Sequence, residues 1–372
     1  MQSTKSPQEF ARRHELALKR LTAPGKSKAG SETLNIPFPS GLAPKPQAIT
    51  PAPKPDDPLP QVDIIAMMDT SAESNAMADV LTPGVDRYNW YPYARFFETK
   101  YLPQIGPNAP SRESKRLGSY YLTIIGGKRV LVYKTELHMH TDGILLPNGQ
   151  YSLPIKDMLA QMISEAKPKL FLTTGTSGGV YNDMCLGDVS VSRAAHFMCE
   201  QHYKNAPFNG KTYKSDWTIP QTQSAEAMKL MKLFVGKLGG ETPPSPVCTL
   251  SKQPTAPTIY YDGGKYPVVG QIPPFHPILT TDFFEFGTTV NDLSKLGMAV
   301  EMDDAVLGLV CSEMKSPPLW ACVRNLSDPT INGTLNHDMQ SKCAEYYYSK
   351  YGYWTTVMSG LATWSIICGF KG

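Results

Sequence analysis

The sequence predicts an α/β fold on two observations: apolar runs of strand length, and segments of helical period lying between them. Of the 372 residues, 41% are hydrophobic and 19% charged, a balance that excludes a chain disordered throughout or one of collagen type. No repeat of fixed period points to a solenoid.

Residues 1–30 carry Lys5, Arg12, Arg13, Lys19, Arg20, Lys26 and Lys28 against Glu9 and Glu15, and could form one short helix with little apolar face. Residues 31–60 hold nine of the 33 prolines and are expected as an extended linker, so the folded body is expected over 61–372. Within it, the apolar runs at 62–68, 122–137, 169–175, 188–192 and 318–328 read as buried strands. Helices are expected where apolar side chains recur at helical spacing: Ala227, Met231, Phe234 and Leu238, then Val306, Leu309 and Val310. Residues 351–370 carry no charge, which raises the possibility of a membrane span. Their glycines, threonines and serines make the stretch only mildly apolar, so a core-packed terminal helix is expected instead.

Thirty-six Lys and Arg against 33 Asp and Glu give a net charge of +3, too balanced for a polyanion binder, and nucleic acid is not the expected partner. The seven cysteines are odd in number and form no CxxC pair, so neither a zinc site nor a disulfide framework is expected. A reducing compartment follows from that, and the charged N-terminus lacks the apolar core of a secretory signal. A cytoplasmic protein, not bound to a membrane, is the expectation.

Two segments carry candidate chemistry. In the first, the strand at 169–175 runs into Gly175, Thr176, Ser177, Gly178 and Gly179, where no GK[ST] follows and no helical pattern opens. Glycines let backbone N–H groups turn toward a ligand, and two hydroxyls could hold a nucleophile or an anion; a plain turn is the simpler account. In the second, Glu301, Asp303 and Asp304 flank Met302 at a helix start, where carboxylates also suit the helix dipole. A carboxylate there could accept from sugar hydroxyls while Met302 covers the sugar's apolar side. Asp328 ends a buried run, and acids at strand C-termini are where α/β sites form. His138 and His140 are spaced to share one strand face, but no third ligand supports zinc, and no metal is expected.

These segments resemble the nucleoside phosphorylase superfamily, which includes purine nucleoside phosphorylases and methylthioadenosine/S-adenosylhomocysteine nucleosidases. The family's strand, glycine turn and GD-strand are similar to TTGTSGG and LGDVSVS, its VEME ribose motif to Val300-Glu301-Met302-Asp303, and its SD motif to Ser327-Asp328. LTTDFFEFG, residues 279–287, resembles the segment whose aromatic ring stacks on the base, with Phe284 as that ring. The resemblance covers roughly 61–360 and implies a single domain with a central mixed, twisted sheet flanked by helices, carrying an insertion near 201–275.

The implied activity is cleavage of a purine N-glycosidic bond, which leaves positive charge on the sugar and negative charge on the base. Asp328 would be the general acid to the purine, with a pKa raised by burial. Met302 and Asp303 would hold the ribose, Asp303 standing where the family has Glu, and Thr176 with neighbouring amides would lie near the nucleophile. Thr173 stands where many bacterial phosphorylases of the family carry an arginine, which favours water over phosphate. Arg112, Arg116 and Arg129 remain as cations that could take phosphate. Glu73 is the candidate to activate water, at the cost of a two-residue insertion, with Asp69 competing and a helix N-terminus as the plain reading of Glu73. No cofactor is implied beyond phosphate as co-substrate of a phosphorylase. A homo-oligomer is expected by resemblance. The alternatives are phosphorolysis, an effector that depletes purine nucleotides, and a nucleoside-binding module without turnover.

Overall fold

A computed structural model describes residues 34–372 except 108, 240–242, 244, 249–253 and 263–275. The basic helix expected within 1–30 lies outside the described residues, as does part of the expected insertion. The described strands are β1 (Lys45–Gln47), β2 (Ile64–Met68), β3 (Tyr91–Tyr93), β4 (Gly118–Ile125), β5 (Lys128–Thr135), β6 (Leu170–Gly179), β7 (Val189–Ser192), β8 (Ala194–Phe197), β9 (Thr212–Lys214), β10 (Ile259–Tyr261), β11 (Ile278–Thr280), β12 (Ala299–Glu301) and β13 (Leu319–Asp328). The α-helices are α1 (Ser71–Leu81), α2 (Pro110–Ser114), α3 (Met139–Asp142), α4 (Pro154–Ala166), α5 (Ser224–Met231), α6 (Asp304–Glu313) and α7 (His337–Gly369).

All thirteen strands join one mixed sheet, whose main path runs β1-β4-β5-β2-β6-β12-β11-β8-β9, while β13 pairs with β6 and β7. Alternation along β2 shows why both faces are covered. Ile65 and Met67 enter a core with Met158 and Met162 of α4 and Val306 and Val310 of α6. Ile64, Ala66 and Met68 enter the opposite core, with Met77 and Val80 of α1, Met231 of α5 and Leu361 and Trp364 of α7. The uncharged tail is thus a buried helix, and no helix among the described residues is long and apolar enough to cross a membrane.

Several expectations need correction. The run at 122–137 is a hairpin, β4 antiparallel to β5, because Gly126 and Gly127 adopt φ of 55° and 80° and reverse the chain. The proline-rich stretch is not all linker: β1 pairs with β4 at an edge, where Pro46 costs no ladder hydrogen bond, and Trp364 Nε1 donates to Leu42 O at 2.8 Å. The helical pattern at 224–238 stays α-helical only to Met231 and tightens to a 3-10 helix over Lys232–Lys237. Cys248 and Cys343 form a disulfide across 95 residues of sequence, a separation at which spacing offers no cue. The reducing compartment rested on unpaired cysteines, and that ground is removed.

Candidate active site

Three neighbouring strands bring the separated motifs together. β6 pairs in parallel with β13 and antiparallel with β12, which sets Gly178 beside both Asp328 and Val300. A Cβ on Gly178 would lie 3.0 Å from Asp328 Oδ2 and 3.0 Å from Val300 Cγ1, so glycine permits this approach. The expected turn at 175–179 is in fact strand, since β6 runs to Gly179 and keeps its pairing throughout.

Glu73 enters from α1, where it caps the helix and reaches across to β6. Its Oε2 accepts from Thr70 N at 2.7 Å and Asp69 N at 3.0 Å, while Thr70 Oγ1 accepts from Glu73 N at 3.3 Å, closing a capping box. Its Oε1 accepts from Thr176 N at 2.7 Å and Thr176 Oγ1 at 2.6 Å, joining α1 to β6. A Cβ on Gly175 would lie 2.6 Å from that Oε1. Ser177 Oγ donates to Asn325 O at 3.1 Å, so the two hydroxyls expected to meet a ligand both serve the protein's own framework.

Arg324 of β13 is the centre of the site's charge, and the sequence reading passed it over. It is 2% exposed, donates to Asp304 through Nε at 2.9 Å and again through Nη2, and reaches Asp69 Oδ2 at 3.2 Å and Glu301 Oε2 at 3.4 Å. Its signal was present: the one charged residue inside the mostly apolar run WACVRNL needs carboxylate partners if that run is buried.

The carboxylates around it are distinct. Glu301 accepts from Thr280 Oγ1, from Asp303 N at 2.6 Å and from Asp304 N at 3.0 Å, capping α6. Burial and the Asp304 charge push its pKa well above the usual range despite Arg324. Asp303 accepts from Met139 N at 2.7 Å, and its Oδ2 lies 3.4 Å from His138 Nδ1. Burial pulls against ionisation of both, but His138 holds Asp303 below its ordinary value and Asp303 lifts His138 to about 9. His138 and His140 do not share a strand face: His138 caps α3 and His140 lies within it, their ring centroids 6.1 Å apart. Met302 is half-buried at the bend between β12 and α6.

Asp328 is 5% exposed and accepts from Ser327 Oγ at 2.8 Å. Burial raises its pKa to about 6, only partly countered by that hydroxyl, and no cation pairs with it among the described residues. Asp69, 6% exposed, is raised to about 7 by burial and by Asp303, against the pull of Arg324. Tyr348 of α7, also absent from the sequence reading, shares a hydrogen bond with Thr70 and feels the charges of Glu73, Asp328 and Asp69, so α7 closes the same region. Phe284 lies beside Phe286, ring centroids 5.7 Å apart, in a small cluster with the Cys248–Cys343 bridge. A Cβ on Gly178 would sit 3.4 Å from Phe286 Cα, which ties that segment to the Asp328 end.

No family model matches the chain, and no curated protein matches it. Among solved structures it is similar to the 5'-methylthioadenosine/S-adenosylhomocysteine nucleosidase of Neisseria meningitidis in complex with methylthio-immucillin-A, at 14% identity and a TM-score of 0.45, over 83% of this chain and 100% of that one. It is similar also to the futalosine hydrolase of Helicobacter pylori, at 12% identity and a TM-score of 0.45, over 82% of this chain and 97% of the other. Likeness of this extent leaves the chemistry to be argued from the residues.

Proposed function

We propose that the protein hydrolyses the N-glycosidic bond of a purine nucleoside or nucleotide, with Asp328 as general acid to the departing base. The observation that carries this is the carboxyl of Asp328, buried beside Gly178 at the ends of three strands with no cation paired to it among the described residues. A carboxyl there keeps its proton to about pH 6, two units beyond a surface Asp, and can give it to the departing purine. Asp303 would accept from the sugar hydroxyls, since Glu301 is fully occupied in capping α6. Phe284 would lie against the base.

Water is favoured over phosphate by where the donors go. Thr176 gives both its N–H and its O–H to Glu73, and Ser177 gives its O–H to Asn325. The three arginines named above as possible phosphate ligands are spent elsewhere or exposed. Arg112 donates to the carbonyls of Gly106, Leu102 and Ile105, Arg116 pairs with Glu136, and Arg129 is exposed near the N-terminal end of β5. A phosphate would find carboxylates and one guanidinium already bound by Asp304.

The test is incubation with adenosine, inosine, methylthioadenosine, AMP and ATP, with and without phosphate, following free base by chromatography. Base released without phosphate is expected. Release only with phosphate would make the protein a phosphorylase, release only from nucleotides would favour the effector, and no release from any substrate would leave the binding module.

A further inference from the structure

Glu73 and Asp69 compete for activation of the attacking water, and their hydrogen bonds separate them. A carboxylate offers about four acceptor positions. Glu73 has all of them filled, two by Thr176 and one each by Thr70 N and Asp69 N. Asp69 Oδ2 takes Arg324 Nη2 at 3.2 Å, but its Oδ1, though buried, accepts no hydrogen bond from any described residue. A buried carboxylate oxygen without a donor is costly, and a donor supplied by the reaction itself accounts for it.

From this geometry we propose that Asp69, not Glu73, is the general base that takes the proton from the attacking water, Glu73 being the positioning residue that fixes Thr176 and the start of α1. This rests on the hydrolytic reading above. In the step, the water oxygen bonds to C1' as the C1'–N bond breaks. One water proton passes to Asp69 Oδ1, the proton of Asp328 passes to the base, and the products are the free sugar and the free base. Exchange with solvent then returns a proton to Asp328 and removes one from Asp69. Arg324 on Oδ2 steadies the ionised form that must receive the proton.

The groups facing Asp69 come from every neighbouring element: Glu73 on α1, Asp303 ahead of α6, Arg324 on β13, His138 ahead of α3 and Tyr348 on α7. Together with burial they bring Asp69 to about 7, where a base is both available and strong enough.

The experiment compares the full chain with Asp69→Asn, Asp69→Ala and Glu73→Gln, reading base release from adenosine across pH 4–9 and checking each variant's thermal midpoint. Asp69→Asn is expected to lower kcat by about 100-fold or more with KM little changed, as for loss of a general base, and to abolish the acid limb of the kcat/KM profile. Formate is expected to restore part of the rate to Asp69→Ala. Glu73→Gln is expected to slow the enzyme but to keep that limb. The proposal is overturned if Asp69→Asn stays within threefold of the parent, or if Glu73→Gln alone removes the limb. Parent enzyme that needs phosphate would instead sink the hydrolytic reading, whatever Asp69 does.

Discussion

Two buried aspartates with raised pKa values are the proposed acid and base, and their environments differ. Asp328 at about 6 has no cation to hold it ionised among the described residues, whereas Asp69 at about 7 touches Arg324. The acid must be protonated and the base ionised; with the acid at the lower value the productive form is a minority at every pH and is most populated midway, so kcat/KM should be bell-shaped with a low maximum near pH 6.5. Asp328→Asn should cost about 100-fold or more in kcat and remove the alkaline limb, measured on adenosine. The same shift has a stability sign. The folded chain holds the Asp328 proton more tightly than the unfolded chain, so this contribution is present below 3.8 and lost as pH rises through about 6. His138 meets Asp303, the residue proposed to hold the sugar. Removing it in His138→Ala frees Asp303 from its partner and should raise KM for adenosine by about tenfold, with little change for 2'-deoxyadenosine, as steady-state kinetics would show.

At the scale of elements, β6 is the piece on which the site is assembled, and its glycines are spaces rather than hinges. Gly175→Ala would put a methyl 2.6 Å from Glu73 Oε1 and 2.7 Å from Arg324 Nη1, so a loss of about 1–3 kcal/mol in urea unfolding is expected. Activity should fall further than stability. The sequence allowed the α/β class to be read because β2 and the first halves of β6 and β13 are apolar runs of strand length, and the helix at α6 because Val306, Leu309 and Val310 keep helical period. It misled at Gly175–Gly179 because a run of glycines carries no sign of the strands beside it, and β12 and β13 supply the pairing from 120 to 150 residues away. The motif residues Asp328 and Asp303 were legible from local pattern. The partner that sets the chemistry of Asp303, His138, was not, and neither were the carboxylates that Arg324 meets, because these contacts form only across strand and helix ends.

Across the whole molecule, α7 and the Cys248–Cys343 bridge connect the site to the rest of the chain. The bridge closes a loop of 95 residues next to Phe284 and Phe286, and Cys343→Ser should lower unfolding stability by about 2–5 kcal/mol, an amount that treatment of the parent with a dithiol reductant under denaturing titration should reproduce. An unaffected midpoint in both would show that the bridge is not formed in solution. The helix is fastened from within by two hydroxyl contacts, Thr363 to Thr174 of β6 at 2.8 Å and Ser359 Oγ to Asn325 Oδ1 of β13 at 2.7 Å. Matched polar atoms in a dry interior act like a two-key lock. Changing Thr174 or Thr363 alone to valine strands its mate and should cost about 1–3 kcal/mol, whereas valine at both positions should recover most of the loss, so a double-mutant cycle would reveal a large favourable coupling where the paired hydroxyls contribute little net stability of their own.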